Sequence, residues 1–235
     1  MMERLSLSDV HDLTHDCLTR AGAPERVAQA VASEVTASEA LGDRHHGLEA
    51  LLRDIRLMRY GRIDATAPAM QTRPRPGLMT CDAAHGFAAA ALDICLAALM
   101  DMARDQGIAM LRLDRASDPG AMIHATQAIA RQGLAALAHG SGGMGRFAHP
   151  DDPVGGAMAR QPLGPLTPTH PHPDGQPDDS PLGGPVAHGA WIMAWDIATE
   201  TGPLLSAEIR AMLTPPPSAL DIALPTDLLE RIVTA

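Results

Sequence analysis

His45-His46-Gly47-Leu48-Glu49-Ala50-Leu51-Leu52-Arg53-Asp54-Ile55-Arg56-Leu57-Met58-Arg59-Tyr60-Gly61-Arg62-Ile63 is the stretch on which the fold is read. It predicts a helix that begins near Gly47 and stops before Gly61, with the histidine pair just ahead of its first turn. Two helices are expected upstream. Ser8 is placed to cap one running to about Arg20, with Gly22 as its stop. Pro24 suits the first turn of the next, which runs to about Leu41 and sets Val27, Ala30, Val31 and Val35 on one face.

Downstream, residues 64–80 are rich in Pro, Arg and Thr and read as an extended connection. Gly86 to Gln106 is a long Ala/Leu/Met helix, Ile108 to Leu113 alternates like a strand, 120–132 reads as a helix, and Leu134 to Ala138 as a short strand. From His139 to Gly184 the chain is loaded with Gly, Pro, His and Asp, which predicts a long loop region. Val186 to Thr201 is an apolar run read as helix-like. A short amphipathic helix is expected near Ser206–Leu213, a strand at Leu220–Leu224, and a last helix capped by Thr226. The expected organisation is a helical segment over 1–63, an α/β core over 64–138, the loop region over 139–184 and a C-terminal helical segment over 185–235, in one compact unit.

The composition narrows the function. With 235 residues and 46% hydrophobic content the chain can build a sizeable core, and the 2% aromatic content leaves Leu, Ala, Ile, Val and Met to fill it. A formal net charge of -10 argues against nucleic acid or an anionic membrane as partner. No apolar run reaches the roughly 18 residues of a membrane span. The N-terminus carries no apolar signal segment, and three scattered cysteines fit a reduced, cytoplasmic setting. The chain has no Lys and no Asn, so all 18 basic residues are Arg. Schiff-base and P-loop lysine chemistry are thereby excluded, and an anion must be held by Arg, His or backbone N–H groups.

Several constellations read as structure rather than chemistry. Gly140-Ser141-Gly142-Gly143-Met144-Gly145 has the spelling of a dinucleotide cradle, but Pro150 and Pro153 follow where a helix should open. It is therefore read as a plain Gly-rich loop. His11 and His15, at helical i,i+4 spacing, lack a third ligand and read as a solvated helix face. His170, His172, Asp174, Asp178 and Asp179 sit in a Pro-rich loop that preorganises them poorly for a metal, and no metal site is assigned.

The order of motifs along the chain resembles the malate/L-lactate dehydrogenase family, the non-Rossmann NAD(P)-dependent group that includes ureidoglycolate and sulfolactate dehydrogenases and ketimine reductases. The resemblance is carried by His46-Gly47 with the Gly61-Arg62-Ile63 ending, by Asp82-Ala83-Ala84-His85-Gly86, Gly107-Ile108-Ala109, Gly120-Ala121 and Gly133-Leu134. It continues through Gln161-Pro162-Leu163 with Pro168, Asp174-Gly175-Gln176-Pro177 and Pro181-Leu182-Gly183-Gly184. It implies a shortened α/β fold of that non-Rossmann type, a helical N-terminal part on a reduced sheet domain, and a homodimer with the active site near the subunit interface.

The departures from the family pattern fall on its chemistry. The Ser before the His is His45, the substrate-carboxylate Arg falls at Ala50, the Tyr at Asp54, and a catalytic His at Asp118. The catalytic Lys of several members has no counterpart, and Val186-Ala187 replace the Lys after Pro-Leu-Gly-Gly, although His188 persists. Two blocks of the family pattern, between Pro168 and Asp174 and after Gly202, are missing. The leading expectation is a divergent oxidoreductase acting with NAD or NADP on a small 2-oxo or 2-hydroxy acid or a cyclic imine. In it His46 and Asp118 are catalytic, and His45, Arg44 and Arg53 bind substrate. Gly120, Pro162, Gly183, Gly184 and His188 contact the cofactor. A catalytically degenerate binding or assembly partner is the alternative, and a cofactor-free or metal-assisted enzyme the third reading.

Overall fold

The computed structural model describes residues 2–117, 120, 122–140, 145–158, 188–198, 213–214 and 221–235. The first strand, β1 (Met2–Ser6), pairs antiparallel with β10 (Asp221–Pro225), so the two ends of the described chain meet. Between them run α1 (Leu7–Arg20), α2 (Glu25–Ala40), α3 (Leu48–Arg59), α4 (Ala88–Gln106) and α5 (Ile123–Arg131); α6 (Thr226–Val233) closes the chain. The second sheet contains β2 (Met70–Arg75), β3 (Leu78–Asp82), β4 (Ile108–Ala116), β5 (Leu134–His139), β6 (Gly145–His149), β7 (Asp152–Met158), β8 (His188–Asp196) and β9 (Leu213–Thr214). Its strand order is β2-β3-β4-β8-β5-β6-β7-β9, with β3 and β4 parallel and the other described pairs antiparallel. This is the mixed α/β architecture expected, with a helical N-terminal part packed on a sheet.

Two hydrophobic clusters hold the layers. One fills the space between the sheet and α4 with α5: Met79, Cys81, Leu111, Leu113, Ala136 and Ile192 from the strands meet Leu92, Cys95, Leu99 and Ile129 from the helices. The other joins α1, α2, α3 and α6 through Val10, Leu18, Val31, Leu51, Ile55 and Ile232. Phe87 and Ala90, at the start of α4, belong to this second cluster, so α4 links the helical layer to the sheet. Aliphatic side chains and alanine suffice because the layers approach closely where residues are small. Among the described residues, no helix is long and apolar enough to cross a membrane.

The helical expectations for α1 to α5 agree with the structure to within a few residues, with one shift in mechanism. Ser6, not Ser8, caps α1: its hydroxyl accepts from the Asp9 N–H at 3.2 Å while Asp9 accepts from the Ser6 N–H at 2.9 Å. The reciprocal pair at Ser6-x-x-Asp9 satisfies two otherwise orphaned N–H groups, which Ser8 alone does not. Residues 64–80 hold the edge strand β2, where Pro74 is tolerated because one side of the strand is unpaired.

Two expectations are corrected. The apolar run from Val186 to Thr201 contains β8, an interior strand between β4 and β5. Ala190, Ile192 and Ala194 are buried and alternate with the partly exposed Trp191 and Met193, a period of two. Short apolar runs are ambiguous between buried strand and helix, and the bulky aromatic and β-branched residues here favour strand. The C-terminal segment is therefore not wholly helical. Within the expected loop region of 139–184, residues 145–158 form the β6–β7 hairpin. Its burial against β5 outweighs the weak strand propensity of its glycines. The amphipathic helix expected near 206–213 lies mostly outside the described residues.

Because Ile192 is fully buried on the helix-covered face of an interior strand, Ile192→Ala is expected to lower unfolding free energy by about 2–5 kcal/mol, read by denaturant titration. A loss below about 1 kcal/mol would contradict the placement of β8 in the core.

Candidate active site

The histidine pair sits on a single 3-10 turn, Arg44–His46, between α2 and α3. Gly47 leads into α3 and offers no side-chain cap. The missing cap comes from α2: the buried Glu39 accepts the Leu48 N–H at 2.7 Å. A Cβ on Gly47 would lie 2.1 Å from Glu39 Oε1, so glycine is needed there for the carboxylate to reach the helix end. Burial holds the Glu39 carboxyl above its ordinary pKa, against the hydrogen bond from Leu48.

A second carboxylate of α2 repeats the device. Met122, with φ 51°, precedes α5 and provides no side-chain cap. Glu34 supplies it, accepting the N–H groups of Ile123 and His124 at 2.7 and 3.0 Å. Burial pushes the Glu34 carboxyl up to about 7, while those hydrogen bonds and the charges of His46 and Arg146 pull it down. Glu34 also lines a cavity of about 110 Å3 between α2, α4 and α5, with Arg26, Gln29, Ser33, Asp93 and His124. Burial lowers the pKa of His124.

With both helix starts pinned to α2, the turn carrying His46 meets the connection that enters α5. A Cβ on Gly120, which has φ 53°, would come within 3.0 Å of His46 Cδ2, and one on Gly140 within 2.2 Å of the Gly120 carbonyl oxygen. The His46 ring thus packs on the Gly120 backbone, and Gly120 in turn packs on the Gly140 backbone. Gly140, the first residue of the Gly-rich stretch, packs on the Gly120 backbone; residues 141–144 lie outside the described residues. His46 retains about 20% side-chain exposure, and its Nδ1 is 2.9 Å from Asp43 Oδ2. Burial raises the Asp43 pKa, but the hydrogen bond and charge of His46 outweigh it and the carboxyl lies below its ordinary value. An anionic Asp43 receives the Nδ1–H and orients the ring.

The remaining expected site residues are dispersed. Arg44 and His45 are exposed. Arg53 is 39% exposed and its Nε donates to Asp54 Oδ1 at 3.0 Å. Ala50 is buried on α3. His188 begins β8 opposite Ala116. Asp118, Pro162, Gly183 and Gly184 lie outside the described residues, as do His170, His172, Asp174, Asp178 and Asp179. Among the described residues, no group of three or more His, Cys, Asp and Glu is arranged to hold a metal.

Four charged residues carry no expectation from the sequence: Glu34, Glu39, Asp43 and Arg146. Glu34 has a signal, because it lies three residues after Val31 and seven after Val27 on the apolar stripe of α2, where a solvated carboxylate does not belong. Arg146 lies in β6, is 4% exposed, and its charge is felt by Glu34 and Asp43. No local pattern distinguishes it from the other arginines.

Comparison with known proteins places these features in a lineage. Residues 5–177 match the family described as Malate/L-lactate dehydrogenase. A Delta(1)-pyrroline-2-carboxylate reductase of Pseudomonas fluorescens is 34% identical over 176 residues, covering 74% of this chain and 50% of that protein. One of Ancylobacter novellus is 38% identical over 110 residues, 47% of this chain and 32% of the relative. The chain thus spans 50% and 32% of the length of these two relatives. Among solved structures, a dehydrogenase from Sinorhizobium meliloti superposes with a TM-score of 0.72 at 15% identity, covering 100% of this chain and 99% of the other. The Delta(1)-piperideine-2-carboxylate reductase of Pseudomonas syringae pv. tomato gives 0.67 at 16% identity, with 99% coverage of each. At such identities these likenesses are of fold.

The Glu34 cap has a pH signature. Its carboxyl titrates at about 7 when folded against an ordinary 4.5. Between these values the folded protein keeps a proton that the unfolded chain has released, so stability falls as pH rises through the window and levels off above it. Thermal unfolding across this range is expected to show wild type losing stability relative to Glu34→Gln as pH rises. A difference between the two that does not vary with pH contradicts the assignment.

Proposed function

The chain belongs to the malate/L-lactate dehydrogenase family, and from that premise we propose that it is an NAD(P)-linked reductase of a small cyclic imine carboxylate, of the class named for its Delta(1)-pyrroline-2-carboxylate reductase relatives. The observation that carries the reading is the Asp43–His46 pair, seated against the Gly120 backbone at the position of the family's His-Gly motif.

The donor set fits the reacting end of such a reaction. When bound, the nicotinamide supplies a hydride to the imine carbon. The chain must then hold the substrate and deliver a proton to the imine nitrogen. His46 suits the second task. Its Nδ1 faces Asp43 at 2.9 Å, so the proton delivered to the substrate is assigned to Nε2. The Gly120 backbone against one side of the ring helps to fix its orientation. Cofactor contact by Gly120, Pro162, Gly183, Gly184 and His188 belongs to the same proposal by family resemblance; of these, Gly120 and His188 are among the described residues. The resemblance also supports a homodimer as the working form.

Purified protein is expected to oxidise NADH or NADPH in the presence of Delta(1)-pyrroline-2-carboxylate or Delta(1)-piperideine-2-carboxylate, followed by loss of nicotinamide absorbance. His46→Ala should lower kcat by about 10²–10⁴-fold, and Asp43→Asn by a smaller factor. Turnover untouched by His46→Ala rejects the assigned acid. A wild-type protein that oxidises neither cofactor with these imines or with 2-oxo acids rejects the reductase itself.

A further inference from the structure

The cavity between α2, α4 and α5 is a place apart from the candidate acid: among the described residues, neither His46 nor Gly120 lines it. Its volume of about 110 Å3 is well above the roughly 10–15 Å3 that one water needs and well below the roughly 300 Å3 of an ordinary ligand cleft, so it suits a small molecule. Leu92 and Leu96 of α4, both buried, form its inner wall. Arg26 of α2 and Asp93 of α4, each with 53% side-chain exposure, stand at its mouth.

The two charges at the mouth are loosely paired. Arg26 Nη1 lies 3.6 Å from Asp93 Oδ2, beyond hydrogen-bond reach, and the same nitrogen donates to the Ala90 carbonyl at 3.3 Å. An exposed pair at that distance is weak, so a ligand carrying both charges can replace it with two charge-assisted hydrogen bonds. Acceptors dominate the rest of the polar lining. Ser33 Oγ gives its proton to the Gln29 carbonyl at 3.0 Å, which leaves the oxygen to accept. The Glu34 oxygens take one N–H each from the start of α5, and a carboxylate can take about four. With Asp93 these make three acceptor groups, which match the three protons of a primary ammonium. His124 does not oppose a cation there, because burial lowers its pKa and keeps the ring neutral at pH 7.

We propose that this cavity is a binding site for a small α-amino acid with a short apolar side chain. Its carboxylate rests on Arg26, its ammonium among Asp93, Glu34 and Ser33, and its side chain against Leu92 and Leu96. A plain amine leaves Arg26 unused, and a plain carboxylate meets Asp93 and Glu34, so the zwitterion is the form that the lining matches. The cavity communicates with the candidate active site through Glu34, which holds the start of α5; the connection entering α5 carries Gly120, on which the His46 ring packs. The binding itself does not depend on the reductase reading.

Calorimetric titration of the full chain with L-valine, isobutylamine and 3-methylbutanoate tests this, the last two being valine without its carboxylate and without its ammonium. Wild type should bind L-valine with a Kd below about 10 mM and at least about tenfold more tightly than either of the others. Arg26→Gln and Asp93→Asn, at half-exposed positions where the fold should survive, should each weaken L-valine by about threefold or more, with circular dichroism reporting the fold. Neither residue belongs to the proposed catalytic machinery, so a loss in these variants separates this site from one at His46. A wild type that binds no L-valine in that range, or binds it less than tenfold better than the amine or the carboxylate, overturns the proposal. A folded variant of either kind with a smaller loss overturns it as well.

Discussion

Two carboxylates on one helix hold the rest in place. Glu34 and Glu39 project from α2 and accept the leading N–H groups of α5 and α3, neither of which has a side-chain cap of its own. Helix N-termini expose unsatisfied donors and a partial positive charge, so a buried carboxylate there is stabilised twice, by hydrogen bonds and by the helix dipole. The bonds oppose, without cancelling, the desolvation that raises both carboxyls above their ordinary pKa. They also set a distance: with both helix starts tied to α2, the turn before α3 and the connection before α5 must touch. His46 and Gly120 meet there.

The sheet supplies the other half of the neighbourhood. Its helix-covered face is built from β3, β4, β8 and β5 against α4 and α5, and the order β8-β5-β6-β7 carries Arg146 to the side of α5 where Glu34 sits. Gly140, at the end of β5, fits against Gly120 because neither residue has a side chain. His46 in one layer and Arg146 in the other therefore share electrostatic partners although 100 positions separate them in the chain. The helix α3 is anchored by Leu48, Leu51 and Ile55, all fully buried, with Ala50 buried beside them.

Local signals explain which elements were readable. Gly22, Pro24, Gly47 and Gly61 punctuate the first three helices, and the apolar spacing of α2 matches its buried face. β8 was misread because an apolar run of Ala, Trp, Ile and Met suits either periodicity, and only its pairing to β4 and β5 decides between them. The β6–β7 hairpin was hidden by the Gly and Pro around it, and its stability comes from a neighbouring strand rather than from its own residues. Arg146 was hidden for the same reason. An arginine between glycine and phenylalanine carries no mark of burial until β5 and β7 enclose it.

By itself the sequence determined the helices α1 to α5, the mixed α/β class and the family lineage, since caps, breakers, periodicity and motif order are local or linear properties. It also determined that any anion must meet Arg, His or backbone, through the absence of Lys. Only the tertiary structure decided which charges face one another. Glu34, Glu39 and Arg146 acquire their surroundings from other segments: the starts of α5 and α3 for the two carboxyls, and β7 for the guanidinium. The energy of a buried charge depends on its surroundings in three dimensions, which residue order does not display.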